Sequence, residues 1–208
     1  MYIVVFGASG KIGQLLIPLL IKDGHIVTAF VHSTVPFAED AHLKIIKGDI
    51  HDEADIVQAL KGQELVMSTL GSWHTKSKDI LSSAVELIVP LMQKNGQKRI
   101  ITLTGSGARV TGDNTSLFES ISHYAITLIA GKIIRDAEDH NTLLEQSSLD
   151  YVIVRSPVMN DRSTETYKLN DTAPGALETT SRSSVVAALR DLVSSSQFNR
   201  SAPYIHQK

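Results

Sequence analysis

The sequence predicts an α/β fold in which helices cover both faces of a doubly wound parallel sheet. Short apolar runs rich in β-branched residues alternate along the chain with longer segments of helical periodicity. This alternation is typical of strands that are buried on both faces and joined by crossover helices. The chain has 208 residues, 42% of them hydrophobic, which is enough for one domain with a short appendage but not for two full-sized domains.

The pattern begins with an apolar run, Tyr2–Phe6, that stops at a glycine. A helix follows, with apolar residues at i, i+3 and i+4 from Ile12 to Leu20, and we expect a kink at Pro18 because proline removes a helical hydrogen bond. Gly24 ends this helix. The next predicted elements are two strands, a helix and a fourth strand, at residues 25–31, 43–47, 53–61 and 64–70.

The second half of the chain continues the alternation. We expect a long helix at about residues 78–95, broken by Pro90, a strand at 99–104, a helix at about 116–147 and a strand at 151–154. After Pro157 the sequence becomes polar, with a strand expected at 166–169 and a helix at 185–193. Residues 158–208 are too few for a domain, so we expect a small substrate-side segment of the same domain.

Composition excludes several classes of function. The chain has no Cys, which excludes disulfide scaffolds, thiolate metal sites and thiol nucleophiles. Its eight His residues show no spacing typical of metal ligands, so we expect no metal site. The 20 basic and 22 acidic residues nearly balance, which argues against a nucleic-acid or membrane partner.

The N-terminus enters the first strand without a basic leader, so it does not resemble a secretory signal. The densest apolar stretch after it, residues 15–21, contains Pro18 and is much shorter than the roughly 20 residues of a membrane helix. We therefore expect a cytoplasmic protein.

A glycine-rich motif, Gly7-Ala8-Ser9-Gly10-Lys11-Ile12-Gly13, lies between the first strand and the first helix. A tight turn requires Gly7, close approach to a pyrophosphate requires Gly10, and close packing of the helix on the strand favours Gly13. The free N–H groups and the dipole of the helix N-terminus attract phosphate there. In this context the motif predicts a dinucleotide site in a Rossmann-like fold.

Three further motifs recur at strand ends: Gly-Asp-Ile at residues 48–50, Thr-Leu-Gly at 69–71, and Leu-Asp-Tyr-Val-Ile-Val-Arg-Ser-Pro at 149–157. Together with the glycine motif, they resemble the atypical short-chain dehydrogenase/reductases of the NAD(P)H-binding, NmrA-like group. The size of the chain and the order of the motifs look similar to its flavin reductase/biliverdin-IXβ reductase branch.

The resemblance implies a role for each matching position. The glycine motif would bind the pyrophosphate, mainly through Gly7 and residues 9–12. Asp49 and Ile50 would flank the adenine, and Leu70 and Gly71 would line the ribose. Thr104 would approach the nicotinamide. All these positions lie at the carboxyl ends of predicted strands, where open α/β sheets bind ligands.

The end of the second strand favours NADP(H) over NAD(H). An NAD site usually places a carboxylate there, but this chain has His32-Ser33-Thr34, and the nearest acids are Glu39 and Asp40. Without a carboxylate, His32 and Ser33, with Lys11, could donate hydrogen bonds to a 2′-phosphate. The alternative is that His32 is a surface residue with no ligand.

The candidates for catalysis are Thr104, Ser106 and Tyr124. Standard short-chain dehydrogenases use Tyr-x-x-x-Lys, in which the Lys lowers the pKa of the tyrosine. Here Leu128 stands four residues after Tyr124. Lys132 follows at eight residues, too far to act on Tyr124 unless the helix is broken. Thr104 and Ser106 end the fifth strand and could orient a carbonyl or the cofactor amide, or only satisfy the loop backbone.

Trp73, His74, Pro157 and Met159 follow strand ends and are candidates for the substrate pocket. A flavin-like or other conjugated small molecule suits them, because hydride transfer between stacked rings needs few catalytic side chains. We therefore predict an NAD(P)H-dependent reductase. A non-catalytic NAD(P)-binding redox sensor is the main alternative, since the Tyr/Lys pair is missing. A sugar-nucleotide epimerase is third, because roughly 50 residues after Pro157 are few for a substrate lobe.

Overall fold

The computed structural model describes residues 1–73, 75, 77–113, 117–175 and 177–208, with only the backbone given for 117–129. The strands are β1 (Tyr2–Phe6), β2 (Ile26–Val31), β3 (Leu43–Lys47), β4 (Leu65–Ser68), β5 (Arg99–Gly105), β6 (Asp150–Ser156), β7 (Val158–Asn160), β8 (Tyr167–Asn170), β9 (Thr179–Ser181) and β10 (Tyr204–Gln207). The helices are α1 (Lys11–Lys22), α2 (Glu53–Leu60), α3 (Ile80–Lys94), α4 (Leu117–Gln146) and α5 (Arg182–Leu192).

Eight strands form the central sheet, in the order β3-β2-β1-β4-β5-β6-β10-β8. Neighbouring strands pair in parallel from β3 to β10, and only β8 is antiparallel, to β10. The order of the first six strands is that of the Rossmann fold, with the chain reversing direction across the sheet between β1 and β4. The predicted doubly wound α/β fold is confirmed.

The two faces of the sheet are both covered, as the apolar runs predict. In β1, Ile3 and Val5 point to a core formed with α1 and α5, whereas Val4 and Phe6 point to a second core formed with α2, α3 and part of α4. All four side chains are fully buried. Because successive side chains of a strand point to opposite faces, only an uninterrupted apolar run fills both cores.

The prolines in the helices do not interrupt them. The expected break at Pro90 is wrong, because α3 is continuous through it, and α1 likewise continues through Pro18. Both prolines are exposed, and so are Gln14 and Glu86, the residues whose carbonyls lose their helical donor. Water can bond these carbonyls, which lowers the cost of the missing hydrogen bond.

The backbone does depart from helical geometry inside α4, at Ala130 (φ −125°, ψ 25°). The sequence predicts a single helix there, since Ala has the highest helix propensity.

The segment after Pro157 contributes more to the fold than expected. β8 and α5 lie within two or three residues of the predicted strand and helix, but β7, β9 and β10 were not predicted. β7 pairs with β9 in a separate two-stranded sheet, while β10 lies between β6 and β8. Among the described residues, no helix is both long and apolar enough to cross a membrane.

Candidate functional site

The glycine turn between β1 and α1 is packed too closely for larger residues at two positions. Gly7 has φ +76°, and a Cβ on it would lie 2.7 Å from the backbone nitrogen of Leu70. A Cβ on Gly13 would lie 2.5 Å from the carbonyl oxygen of Ala8. The first glycine therefore lets β1 and the end of β4 touch, and the second lets α1 pack directly on the turn.

Gly10 is packed less closely than these two glycines. A Cβ there would meet only the Gly7 oxygen, at 3.1 Å, and its φ of −72° is available to any residue. Gly10 is the N-cap of α1, so no side chain caps the helix, and the first turn contains no acidic residue. The N-terminus of α1 thus presents free N–H groups, with the exposed Lys11 beside them, an arrangement that could hold a phosphate.

The ends of β2 and β3 lie to one side of this turn. His32 and Ser33 are exposed directly after β2. Asp40, the nearby acid, instead accepts a hydrogen bond from the His42 N–H at 2.7 Å. After β3, the Asp49 N–H donates to the carboxylate of Asp55 at 2.8 Å, so the start of α2 fixes the backbone of this motif.

The end of β4 touches the glycine turn from the other side. The Thr69 hydroxyl donates to the Gly7 carbonyl, 3.1 Å away. Leu70 is partly buried against the core beneath α3, whereas Gly71 is exposed. Trp73 follows and is 64% exposed.

The ends of β5 and β6 complete the carboxyl edge. Thr104 is buried, and its hydroxyl has no hydrogen-bond partner among the described residues. Ser106 is half-buried, and its N–H donates to the Ser156 carbonyl at 2.8 Å, which ties the two strand ends together. Pro157 is buried, while Met159 packs against the core beneath α1 and α5. An unpaired buried hydroxyl is costly unless a ligand satisfies it.

Two predicted site residues lie outside the described part of the chain: His74, and the side chain of Tyr124. Lys132 is described and exposed. The Ala130 kink falls between Tyr124 and Lys132. The two residues therefore do not lie on one straight helix, as the estimate of two helical turns between them assumes. Across the described ranges, no group of three His, Asp or Glu side chains could hold a metal ion.

The sequence did not indicate the ion pair that holds the loop after β5. Arg155, 2% exposed, donates to Asp113 at 2.6 Å and to the Tyr204 hydroxyl at 2.8 Å. Its guanidinium also stacks on the Tyr204 ring, 3.7 Å from the centroid. A lone Arg within the apolar run of β6 was the available signal, because an arginine among buried residues requires a partner.

A second unpredicted feature is the carboxylate of Asp136, which is 3% exposed on α4. It accepts hydrogen bonds from the backbone of Leu81 and Ser82, at 3.2 and 2.8 Å, and from the hydroxyls of Ser82 and Ser72. It therefore caps α3 from a neighbouring helix. Nothing in the sequence relates residues 64 positions apart, so periodicity could not have found this contact.

Solved structures confirm the fold. A short-chain dehydrogenase/reductase from Veillonella parvula has a TM-score of 0.79 at 19% identity, covering 99% of this chain and 94% of that one. Its counterpart solved in complex with NADP has a TM-score of 0.78 at 18% identity, with 99% and 94% covered. ChuY, an anaerobillin reductase from Escherichia coli O157:H7, has a TM-score of 0.78 at 19% identity, with 100% and 97% covered.

Curated relatives match a shorter part of the sequence. An isoflavone reductase homolog from Zea mays is 31% identical over 94 residues, which is 40% of this chain, and the chain spans only 30% of that relative. A family model described as NAD(P)H-binding matches residues 7–196, from the glycine turn to just beyond α5. This match covers most of the chain, including every strand end described above, and the chain therefore belongs to the NAD(P)H-binding family.

Proposed function

We propose that this protein is an NAD(P)H-dependent reductase that passes hydride to a flavin-like or other conjugated small molecule. The observation that carries the proposal is the uncapped N-terminus of α1 at the carboxyl edge of the sheet. In contrast, α2 and α5 are each capped by the side chain of the residue directly before them, Asp52 and Ser181, which accepts a hydrogen bond from a backbone N–H of the first turn. At α1 the same N–H groups are left for a ligand, and phosphate is the ligand that such an end prefers.

The residues at the edge support a dinucleotide extended across it. Gly10, Ser9 and the N–H groups of α1 would hold the pyrophosphate. Asp49 and Ile50 would flank the adenine, on the side of β2 and β3. Leu70 and Gly71 would line the ribose, on the side of β4. These groups lie on both sides of the point where the strand order reverses, which is where open α/β sheets bind nucleotides.

Thr104 would hold the carboxamide of the nicotinamide. Its buried hydroxyl, without a described partner, could both donate to the amide oxygen and accept from the amide nitrogen. A reduced nicotinamide, when bound, supplies the hydride. Thr104 would fix the plane of that ring, and Ser106 would orient a polar group of the acceptor, so that positioning supplies most of the rate.

Trp73, with Met159, would form the acceptor pocket. A 64% exposed indole at the rim offers a flat apolar surface to a conjugated ring. Such an open rim lets solvent deliver protons to the reduced acceptor, so the chain needs no buried proton donor. Under this proposal, Tyr124 would not be required for turnover.

We propose NADP(H) as the preferred cofactor. The exposed His32 and Ser33 stand where an NAD site would place a carboxylate, and Asp40 is engaged with His42 instead. The variant His32→Asp places a negative charge where it would repel a 2′-phosphate. We expect this variant to lose NADPH affinity and retain or gain NADH affinity, measured by titrating both cofactors. An unchanged ratio of the two affinities would contradict the assignment.

The function is tested by titrating NADPH and NADH and then screening flavins, quinones and carbonyls for NAD(P)H oxidation. We expect turnover with free flavin, and we expect Gly10→Val to abolish both binding and turnover. Robust turnover by Gly10→Val would refute the role of the glycine turn. Tight cofactor binding with no oxidation by any acceptor would instead favour the redox sensor, for which the missing Tyr-x-x-x-Lys pair is the supporting observation.

A further inference from the structure

A buried carboxylate of α4 binds the loop between β4 and α3, of which residues 69–73, 75 and 77–79 are described. Ser72, 1% exposed, donates its hydroxyl to Asp136, which is 3% exposed on α4. The same carboxylate caps α3 through Leu81 and Ser82. One charged group of α4 therefore binds both the loop after β4 and the start of α3, which lie 54 to 64 positions away in sequence, and each bond to it is strengthened by the charge and by burial.

The loop reaches the glycine turn through very few residues. Ser72 is separated from Leu70 only by Gly71, and the Leu70 backbone lies against Gly7, where a Cβ would approach its nitrogen to 2.7 Å. Thr69 adds a hydrogen bond to the Gly7 carbonyl at 3.1 Å. We therefore expect a shift of Ser72 to disturb the turn that faces the pyrophosphate, because only Gly71 separates Ser72 from the residues that touch this turn.

The remainder of the loop is held by its own hydrogen bonds. The Lys78 ammonium donates to the carbonyls of Ser72 and Thr75, at 3.0 and 2.7 Å. The Thr75 hydroxyl lies 2.6 Å from the Ser77 carbonyl. These bonds among Ser72, Thr75, Ser77 and Lys78 do not involve Asp136, so we expect them to persist when the bond to Asp136 is removed.

We propose that Asp136 is a positioning residue for the cofactor, acting through Ser72 to hold the end of β4 against the glycine turn. This inference rests on the proposed function only in the choice of NADPH as ligand, and it requires no turnover. Ser72 and Asp136 are buried, and neither is among the residues proposed above to bind the cofactor. Their effect is on the place and rigidity of Leu70 and Gly71.

The chain offers a matched pair of variants. Ser72→Ala and Ser82→Ala each remove one hydroxyl that donates to the same carboxylate. Only the first releases the loop, since Ser82 lies inside α3 and keeps its backbone bond to Asp136 at 2.8 Å. A purely structural role for Asp136 predicts that both variants lose thermal stability and that neither loses cofactor affinity specifically.

The experiment is a fluorescence titration of wild type and both variants with NADPH, alongside thermal unfolding. We expect Ser72→Ala to raise the Kd for NADPH about fivefold or more, since a bond to a charged acceptor is among the stronger hydrogen bonds. Ser82→Ala should leave the Kd within about twofold, as for a change distant from the ligand. Asp136→Asn, which keeps the shape and one acceptor oxygen, should raise the Kd in the same direction as Ser72→Ala.

Equal Kd values for Ser72→Ala and Ser82→Ala would overturn the proposal, and so would an Asp136→Asn variant that binds as tightly as wild type. The result is independent of the acceptor. If the wild type binds NADPH but none of the acceptors tested leads to its oxidation, the reductase proposal fails. The comparison of Kd values still decides the role of Asp136.

Discussion

Replacing Gly13 and replacing Gly10, at the start of α1, with alanine should have different effects. The first should mainly lower stability, and the second should mainly weaken cofactor binding. In Gly13→Ala, the new methyl group would lie 2.5 Å from the Ala8 oxygen and 2.6 Å from the Gly7 oxygen. These are backbone atoms, which cannot swing away as a flexible side chain would. Alanine in a helix is favoured over glycine by roughly 0.5–1 kcal/mol, whereas forced overpacking costs about 1–3 kcal/mol. We expect a net loss of about 1–2 kcal/mol in the free energy of unfolding.

Gly10→Ala should lower the free energy of unfolding less than Gly13→Ala does. Its methyl group meets only the Gly7 oxygen, at 3.1 Å, and the backbone at Gly10 suits alanine. Because residue 10 lies at the start of α1, we expect its methyl group to obstruct a phosphate bound to the free N–H groups there, so the larger loss should fall on cofactor binding.

Urea unfolding with and without NADPH separates the two effects. Ligand at 100 times its Kd stabilises a folded protein by about 2.7 kcal/mol. We expect wild type to show that gain, Gly10→Ala to lose most of it, and Gly13→Ala to be less stable before any ligand is added. The slope against urea should be the same for all three, which shows that the same surface unfolds. The reasoning is refuted if Gly13→Ala is as stable as wild type, or if Gly10→Ala gains as much from NADPH as wild type.

Three further predictions concern the ion pair at β6, a buried histidine and the exposed indole. Asp113→Ala should lower the free energy of unfolding by about 2–4 kcal/mol, because it leaves the buried Arg155 without its carboxylate partner. Asp23→Ala breaks a surface ion pair and should lower it little. Equal urea midpoints for these two variants would contradict this prediction. Burial lowers the pKa of His140 to about 4, below its unfolded value. Acid therefore favours the unfolded chain, and stability should fall from about pH 6.5 to pH 4 by up to roughly 1.4 kcal/mol per pH unit. His140→Gln should show a shallower fall, and a parallel pH profile would exclude His140 as the cause. Trp73→Ala should raise the KM for flavin several-fold and leave the Kd for NADPH unchanged, as steady-state kinetics and titration can measure; an unchanged KM would remove Trp73 from the acceptor pocket.

The sequence predicts the central sheet well because its signals are local. An apolar run such as Tyr2–Phe6 fills both cores only as a central strand, and the glycine motif after it fixes where the first helix begins. The same locality explains what was missed. β10 has only four residues and is held by pairing with β6 and β8, so its strand character comes from its neighbours and not from its own composition.

The prediction at Pro90 failed for a related reason. A proline removes one helical hydrogen bond wherever it stands, but the cost depends on whether the released carbonyl faces water or the core. Here Glu86, which bears that carbonyl, is exposed. The sequence shows the proline but not whether the carbonyl four residues before it faces water. That exposure decides between a break and a continuous helix.

The candidate site divides along the same line. The glycine turn could be located from the sequence because its residues are contiguous and each is required by close backbone contacts, at Gly7 and at Gly13. Asp136 and Arg155, which bind the loops after β4 and β5, are single charged side chains whose partners come from distant segments of the chain. A buried charge is costly unless several groups satisfy it, and these two are satisfied by loops that follow β4 and β5. The buried charges of Asp136 and Arg155 therefore hold the loops after β4 and β5 at the carboxyl edge of the sheet. Both belong to the side of the sheet expected to hold the nicotinamide, where small displacements alter the distance over which hydride is transferred.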